Sequence, residues 1–237
     1  THPMTNERIS HFNEAAKNNH FNAFSPLDAE LAMIKAKFSA FMLDTAKVKR
    51  LYPAGKNDAP SRYAHAVLDF RLGNVAEALA EIDNLIALQP NNPYFYELKG
   101  QFLFESGQTA ASISAYDKAL KILPDSPLLK ISMAQAVLEN SPNKTQAQKA
   151  AALLLQSLVS RPSPTAWQLL ARAYDISGKK AASYYAAAEF NYAIGNLEGA
   201  DKQVKRAKKS QPDKSVLLKL DDLQERIKAE LKERKVF

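Results

Sequence analysis

A regular spacing of glycine and proline limits the possible folds of this 237-residue chain more than any other feature. Gly73 and Gly107 are 34 residues apart, Pro90 and Pro124 are also 34 apart, and each glycine precedes its proline by 17 residues. Glycine accepts the left-handed conformation that ends a helix, and proline cannot continue one. A fixed period of both therefore predicts a repeated unit of two helices joined by a turn. A third pair with the same 17-residue offset is Gly195 and Pro212.

The composition favours helices and excludes several kinds of chemistry. The chain has 7 glycines and 38 alanines, and no stretch shows the alternation of a strand. Hydrophobic residues make up 46% and charged residues 24%, which is ordinary for a globular protein. Cysteine is absent, which excludes disulfides, thiolate metal ligands and a cysteine nucleophile. No apolar run reaches the about 18 residues that a transmembrane helix needs.

Two consecutive units, at about residues 59–92 and 93–126, carry the repeat most clearly. Small residues at Ala66 and Gly100 allow the two helices of a unit to approach closely. The third unit is four residues longer, and we expect the insertion in the polar loop at 140–144. The fourth unit opens with the motif Trp167-x-x-Leu170-Ala171-x-x-Tyr174.

This pattern resembles the tetratricopeptide repeat (TPR) family. The resemblance implies an all-α, TPR-like α-solenoid of stacked antiparallel helix pairs, with about ten repeat helices after two extra N-terminal helices. Gly195 follows Gly178 by only 17 residues, so we expect a distorted register in the last repeats. The final helix, at about 213–234, is expected to cap the solenoid with a single apolar stripe of Leu217, Leu220, Leu223, Ile227 and Leu231.

Residues 1–52 do not fit the repeat, and we divide the chain into N-terminal helices over 1–52 and a solenoid over 53–237. The sequence predicts one helix over residues 4–19 and a second from Ser25 to about Leu51, because serine followed by proline is a strong helix start. The second helix is rich in large apolar residues, so we expect it to pack on the first repeat.

No motif for catalysis or metal binding occurs in the chain. The four histidines form no H-E-x-x-H, and His11 and His20 are nine residues apart with no cysteine nearby. Phosphate-loop and G-x-S-x-G motifs are also absent, so we predict no catalytic residue, metal ligand or cofactor in this chain. Of the net charge of +7, +5 falls in residues 201–237, where 12 basic residues mix with 7 acidic ones. We expect a solvated basic helix there rather than a nucleic-acid surface.

The TPR resemblance implies a concave groove lined by the first helix of each repeat. Aromatic and amide side chains at the groove positions would hold a protein or peptide segment. Alternatively, the aromatic residues only seal helix packing, or the chain's own N-terminal helix fills the groove. The predicted partner-binding positions are Tyr63, Val67, Phe70, Tyr94, Glu97, Gln101, Phe104, Glu105, Gln135, Gln168 and Arg172.

The opening residues, Thr1-His2-Pro3-Met4-Thr5-Asn6-Glu7-Arg8-Ile9, provide a closer resemblance. They resemble the stretch that closes the peptidase domain in bacterial zinc metallopeptidases of the HtpX/CAAX-prenyl-protease superfamily that carry a TPR tail, the BepA-like group. Residues 97–107 and 188–197 also resemble repeats of that group. The H-E-x-x-H helix of the family would precede Thr1, so none of its catalytic or zinc residues can be assigned here.

This second resemblance implies a non-catalytic, protein-binding C-terminal region of a periplasmic or cell-envelope metallopeptidase. Zinc would be held by the preceding catalytic domain, and that domain would be a partner, together with protein substrates. We expect the helix after Ser25 to dock on it, and in its absence to self-associate or stay exposed. The alternative is a stand-alone TPR adaptor with no protease domain.

Overall fold

The computed structural model describes residues 26–234, together with Ser10 and Glu14, and contains only helices in that part of the chain. Ten of these helices follow residue 59, as predicted, and the all-α, TPR-like expectation is confirmed. The predicted helix over 4–19 and its neighbour Ser25 lie outside the described residues, apart from the two named. The described helices are α1 (Pro26–Met42), α2 (Thr45–Leu51), α3 (Ala59–Arg71), α4 (Val75–Leu88), α5 (Pro93–Glu105), α6 (Thr109–Ile122), α7 (Pro127–Glu139), α8 (Lys144–Ser160), α9 (Pro164–Ile176), α10 (Lys180–Ala193), α11 (Leu197–Lys209) and α12 (Lys214–Glu233).

The helix predicted from Ser25 to Leu51 is two helices, because the chain turns at Asp44. The Asp44 side chain accepts a hydrogen bond from the backbone N–H of Lys47 at 2.8 Å and so starts α2. Sequence reasoning treated this aspartate as part of a continuous helix, and that prediction is wrong.

The extra length of the third repeat is also placed differently from the prediction. Helix α8 has 17 residues where α6 has 14, and the loop before it, 140–143, has only one residue more than the loop 106–108. Asn143 accepts from the backbone of Gln146, and the Gln146 side chain accepts from the backbone of Asn143, so a capping box fixes where α8 begins. Most of the insertion therefore lengthens the helix.

The repeat glycines end helices as predicted. Gly73, Gly107, Gly178 and Gly195 have φ between 77° and 88°, in the left-handed region that favours glycine. A Cβ added at Gly73 or Gly107 would meet nothing within 4 Å, so the backbone conformation rather than space accounts for these residues.

The chain divides into two compact units, residues 1–73 and 74–237. In the first unit, α1 packs on α3 through a face that includes the fully buried Ala36 and Ala40. Arg71, at the end of α3, donates from Nη1 to the carbonyl oxygens of Ala40 at 2.5 Å and Leu43 at 2.9 Å. The expected packing of this helix on the first repeat is confirmed, and Arg71 fastens its C-terminal end.

In the second unit each helix from α4 to α12 contacts the next one along the chain. Helices α5, α7 and α9 also contact one another in order, which is the row expected of the first helices of stacked repeats. Farther on it is α10 that contacts α12, so the register shifts by one helix where the sequence predicted a distortion. None of the described helices combines the length and apolarity needed to cross a membrane.

The last helix is held by both apolar and ionic contacts. Leu220, Leu223 and Ile227 on α12 are buried, which agrees with the predicted stripe. Glu189 of α10 is only 6% exposed, and its Oε1 accepts from Tyr185 Oη at 2.8 Å and from Arg226 Nη2 at 2.6 Å. This buried acid is thus paired, as buried charges must be, and it ties α12 to α10.

Candidate functional site

A groove in the second unit lies where α5 and α7 meet above α6. It encloses about 250 Å³. We call it the α5–α7 groove, and its lining residues are Glu97, Gln101, Phe104, Glu105, Tyr116, Ser132 and Gln135.

Helix periodicity brings these side chains together. Glu97, Gln101, Phe104 and Glu105 are spaced at i, i+4, i+7 and i+8, so they share one face of α5. Ser132 and Gln135 are three residues apart and share one face of α7 in the same way. Since α5 and α7 are in contact, the two faces form opposite walls of one groove.

Tyr116 of α6 forms the floor and depends on a glycine in the wall. The Tyr116 side chain is 4% exposed, and a Cβ added at Gly100 would lie 2.7 Å from its Cε1 atom. The predicted small position at Gly100 is therefore needed because only a residue without a side chain leaves space for the tyrosine ring. A side-chain hydrogen bond joins Tyr116 to Ser132, which links the floor to α7.

The electrostatic character of the groove is acidic. Two of its lining residues are glutamates, two are glutamines, and no lysine or arginine is among them. Burial raises the pKa of the Tyr116 phenol, and the nearby charges of Glu97 and Glu105 raise it further. Gln101 donates from Nε2 to Glu105 Oε1 at 2.8 Å, which orients that carboxylate. Such a site favours ligands that bring positive charge and hydrogen-bond donors.

The structure unites four of the predicted partner-binding residues in this groove, Glu97, Gln101, Phe104 and Gln135, and adds the predicted Glu105. Tyr94, on α5, is 56% exposed but does not line the groove. Gln168 is exposed on α9. Whether any of them binds a partner stays a prediction.

Arg172, on α9, contacts the end of α7 instead of an open surface. Its guanidinium pairs with the Glu139 carboxylate, and Nη2 donates to the carbonyl oxygen of Leu138 at 2.9 Å. The hydrogen bond and charge of Arg172 lower the pKa of Glu139. This residue ties one repeat to the next.

Three predicted positions belong to α3, in the first unit. Tyr63 is 1% exposed and Val67 is 0% exposed, whereas Phe70 is half-buried. The expectation that Tyr63 and Val67 line an open groove is therefore wrong, because both are core residues. The packing of α1 on α3 agrees with the alternative that an N-terminal helix covers this part of the repeat.

Sequence reasoning missed two residues of the groove. Tyr116 marked the repeat's period, but nothing in the sequence indicated that its ring would reach between two other helices. Ser132 was detectable, because it lies three residues before Gln135 and so on the same face of α7.

A second cavity of about 440 Å³ lies between α4, α5 and α6. Its charged groups are engaged within the chain: Lys99 Nζ lies 2.5 Å from Asp83 Oδ1, and Lys118 Nζ lies 5.9 Å from the centre of the Tyr96 ring. The lining thus offers a partner less unsatisfied polarity than the α5–α7 groove.

Comparisons with known proteins agree with this architecture. Residues 63–127 match the profile of the tetratricopeptide repeat family. The structure of MamA, residues 41 to the end, from Desulfovibrio magneticus RS-1 is similar with a TM-score of 0.56 and 18% identity, over 73% of this chain and 96% of that one. Another crystal structure of MamA gives 0.54 and 14%, over 70% and 96%. No curated protein sequence matches the chain significantly.

The class is therefore defined by fold: the chain is an all-α protein with a TPR-like architecture, and part of it carries the repeat's sequence signature. Identities this low establish the fold alone.

Proposed function

We propose that this chain is a non-catalytic protein-binding module that holds an extended segment of a partner protein in the α5–α7 groove. The observation that supports the proposal best is the convergence of Glu97, Gln101, Phe104 and Gln135 from two contacting helices on one cavity. Residues predicted from repeat positions alone would not converge in this way without the repeat geometry.

The groove offers three kinds of contact to a peptide. The amides of Gln101 and Gln135 can exchange hydrogen bonds with its backbone, whatever its sequence. Phe104 supplies apolar area, worth about 25 cal/mol per Å² buried before association costs. Glu97 and Glu105 favour a lysine or arginine side chain. A few contacts on an open surface give modest affinity, roughly micromolar.

We further propose that the module is the C-terminal part of a zinc-dependent metallopeptidase of the periplasm or cell envelope, where it recruits or positions protein substrates. The support is the resemblance of residues 1–9 and of the repeat segments to the BepA-like group. The described residues contain no cluster of three or more His, Cys, Asp or Glu suited to a metal, so they do not fit zinc. Zinc and peptide hydrolysis would belong to a domain preceding Thr1, and we assign no step of hydrolysis to this chain.

A stand-alone TPR adaptor is the second candidate. It is favoured by the match of residues 63–127 to the TPR profile, which by itself carries no link to a protease. Sequencing the reading frame upstream of Thr1 separates the two. An H-E-x-x-H about a hundred or more codons earlier supports the metallopeptidase, and a start codon or signal peptide immediately before Thr1 supports the adaptor.

Peptide binding tests the groove directly. We would measure fluorescence anisotropy with two labelled 12-residue peptides of equal apolar content, one with two lysines and one with two glutamates. We expect the lysine peptide to bind at least tenfold more tightly. Phe104→Ala should weaken its binding, and Glu97→Gln/Glu105→Gln should remove most of the preference.

The matched control is Glu77→Gln/Glu198→Gln, which removes two exposed carboxylates elsewhere in the same unit. It should leave both affinities unchanged within twofold. Equal weakening by the groove and control pairs, with all variants fully helical by circular dichroism, would place binding outside the α5–α7 groove.

A further inference from the structure

We propose that α1 is a self-association surface, which pairs antiparallel with α1 of a second copy of this chain. Its outer face carries Leu31, Ile34, Phe38 and Met42, which are 47%, 53%, 66% and 77% exposed. We call these four the α1 stripe. Leu27, 71% exposed, extends it by one turn. This inference does not depend on the proposed function of the α5–α7 groove.

The α1 stripe is a continuous face. Its residues are spaced by three or four, so they align along one side of the helix over about 22 Å when Leu27 is included. Ala36 and Ala40, which are buried against α3, lie on the opposite side. The helix therefore buries its small residues in its own unit and presents its large ones outward, which is the reverse of an ordinary surface helix.

The orientation of this face is fixed by the first unit itself. The hydrogen bonds from Arg71 to the carbonyl oxygens of Ala40 and Leu43 hold the end of α1 on α3. Rotating the helix to bury the α1 stripe would break them and expose two buried alanines to no advantage. A contiguous apolar face held outward is the feature that marks interaction sites on soluble proteins.

The charges beside the α1 stripe identify the occupant. Asp28 and Glu30 flank its N-terminal half, one on each side, and Lys35 and Lys37 flank its C-terminal half in the same way. A second copy running antiparallel brings the acidic half of each helix beside the basic half of the other. The surface is thus complementary to itself.

The same charges select one register. With Leu31 opposite Ile34 of the second copy, Leu27 falls opposite Phe38, and Asp28 faces Lys35 while Glu30 faces Lys37, on both sides of the symmetry axis. Sliding the helices by one heptad, with Leu31 opposite Phe41, would set each lysine against its own counterpart. A parallel pair would form only the contact of Glu30 with Lys35. Antiparallel pairing in the first register therefore forms four favourable pairs and no unfavourable ones.

Sedimentation velocity of the full chain between 1 and 200 μM tests the pairing. We expect a reversible monomer–dimer equilibrium with a Kd of roughly micromolar order, because one helix pair is a small interface. Phe38→Asp should weaken association at least tenfold. Val159→Asp, at a residue of α8 that is 88% exposed, is the matched control and should leave the Kd unchanged. A wild-type chain that is monomeric at 200 μM would overturn the proposal and leave the α1 stripe to another domain or partner.

Charge reversal tests the antiparallel register. Asp28→Lys/Glu30→Lys and Lys35→Glu/Lys37→Glu should each weaken self-association at least tenfold, because four pairs become repulsive. An equimolar mixture of the two variants should form a mixed dimer close to wild-type affinity, since its flanks are again opposite in charge. Absence of the mixed dimer, with both variants helical by circular dichroism, would exclude this geometry.

Discussion

Helices α1 and α5 use their faces in opposite ways. On α5, Phe95 and Phe102 are fully buried and the accessible face carries glutamate and glutamine. On α1, alanines are buried and the accessible face carries large apolar side chains. A repeat helix thus gains stability from its large residues, whereas α1 holds its large residues outside the unit's own core. The comparison separates residues that stabilise the fold from residues available for association.

Truncating matched phenylalanines should give the largest contrast. Phe102→Ala should lower the free energy of unfolding by about 3–5 kcal/mol, because it leaves a cavity in the core. Phe38→Ala should change it by less than about 0.5 kcal/mol at concentrations where the chain is monomeric. Urea unfolding followed by circular dichroism measures both. Comparable losses would show that Phe38 packs on its own chain and is not a surface residue.

Methylation of the glycine beside the groove floor should give the next largest effect. Gly100→Ala places a Cβ against the Tyr116 ring, and overpacking of this kind costs about 1–3 kcal/mol. Gly107→Ala meets no neighbour and costs about 1 kcal/mol for its positive φ alone. Thermal unfolding should rank the variants in this order, and only Gly100→Ala should alter peptide binding. The reverse order would mean that the Tyr116 ring yields freely.

Removal of the Arg71 side chain should loosen α1 selectively. Arg71→Leu leaves the carbonyl oxygens of Ala40 and Leu43 without this donor, at a cost of about 1–2 kcal/mol. Hydrogen exchange should accelerate in α1 and not in α5 or α7. Uniform acceleration along the chain would instead indicate a global loss of stability.

The pair of Arg172 and Glu139 should give the smallest effect. Because the folded-state pKa of Glu139 is lowered, the pair stabilises the protein above the ordinary glutamate pKa, and this contribution disappears as the pH falls through the lowered value. Both side chains are more than 40% exposed, so the gain is below about 1 kcal/mol. In Arg172→Met, an NMR titration should show the pKa of Glu139 returning toward its ordinary value. An unchanged pKa would mean that the ion pair does not persist in solution.

Features that repeat along the chain were predictable, because each repeat supplies independent evidence for them. The 34-residue period gave the number of repeat helices, and the glycines gave their ends. Features that occur once were not. Asp44 reads equally well as a helical residue or as a cap, and the extra residues of the third repeat fit a loop as well as a longer helix.

Exposure was harder to predict than position. Tyr63 and Phe104 occupy related places in their repeats, yet Tyr63 is buried and Phe104 borders a cavity. The repeat pattern locates a side chain on its helix, but burial depends on which other segment covers that face. For α3 one such segment is α1, which lies outside the repeat and has no counterpart in the pattern.

The contact between Gly100 and Tyr116 has an evolutionary consequence. A larger residue at position 100 fits only if the ring at position 116 becomes smaller, and a smaller residue at 116 leaves an empty space unless position 100 grows. Among homologous chains the two positions should therefore change together. The depth of the groove would then be inherited as the property of a pair of sites, and the glutamates on its wall could diversify while that pair stays fixed.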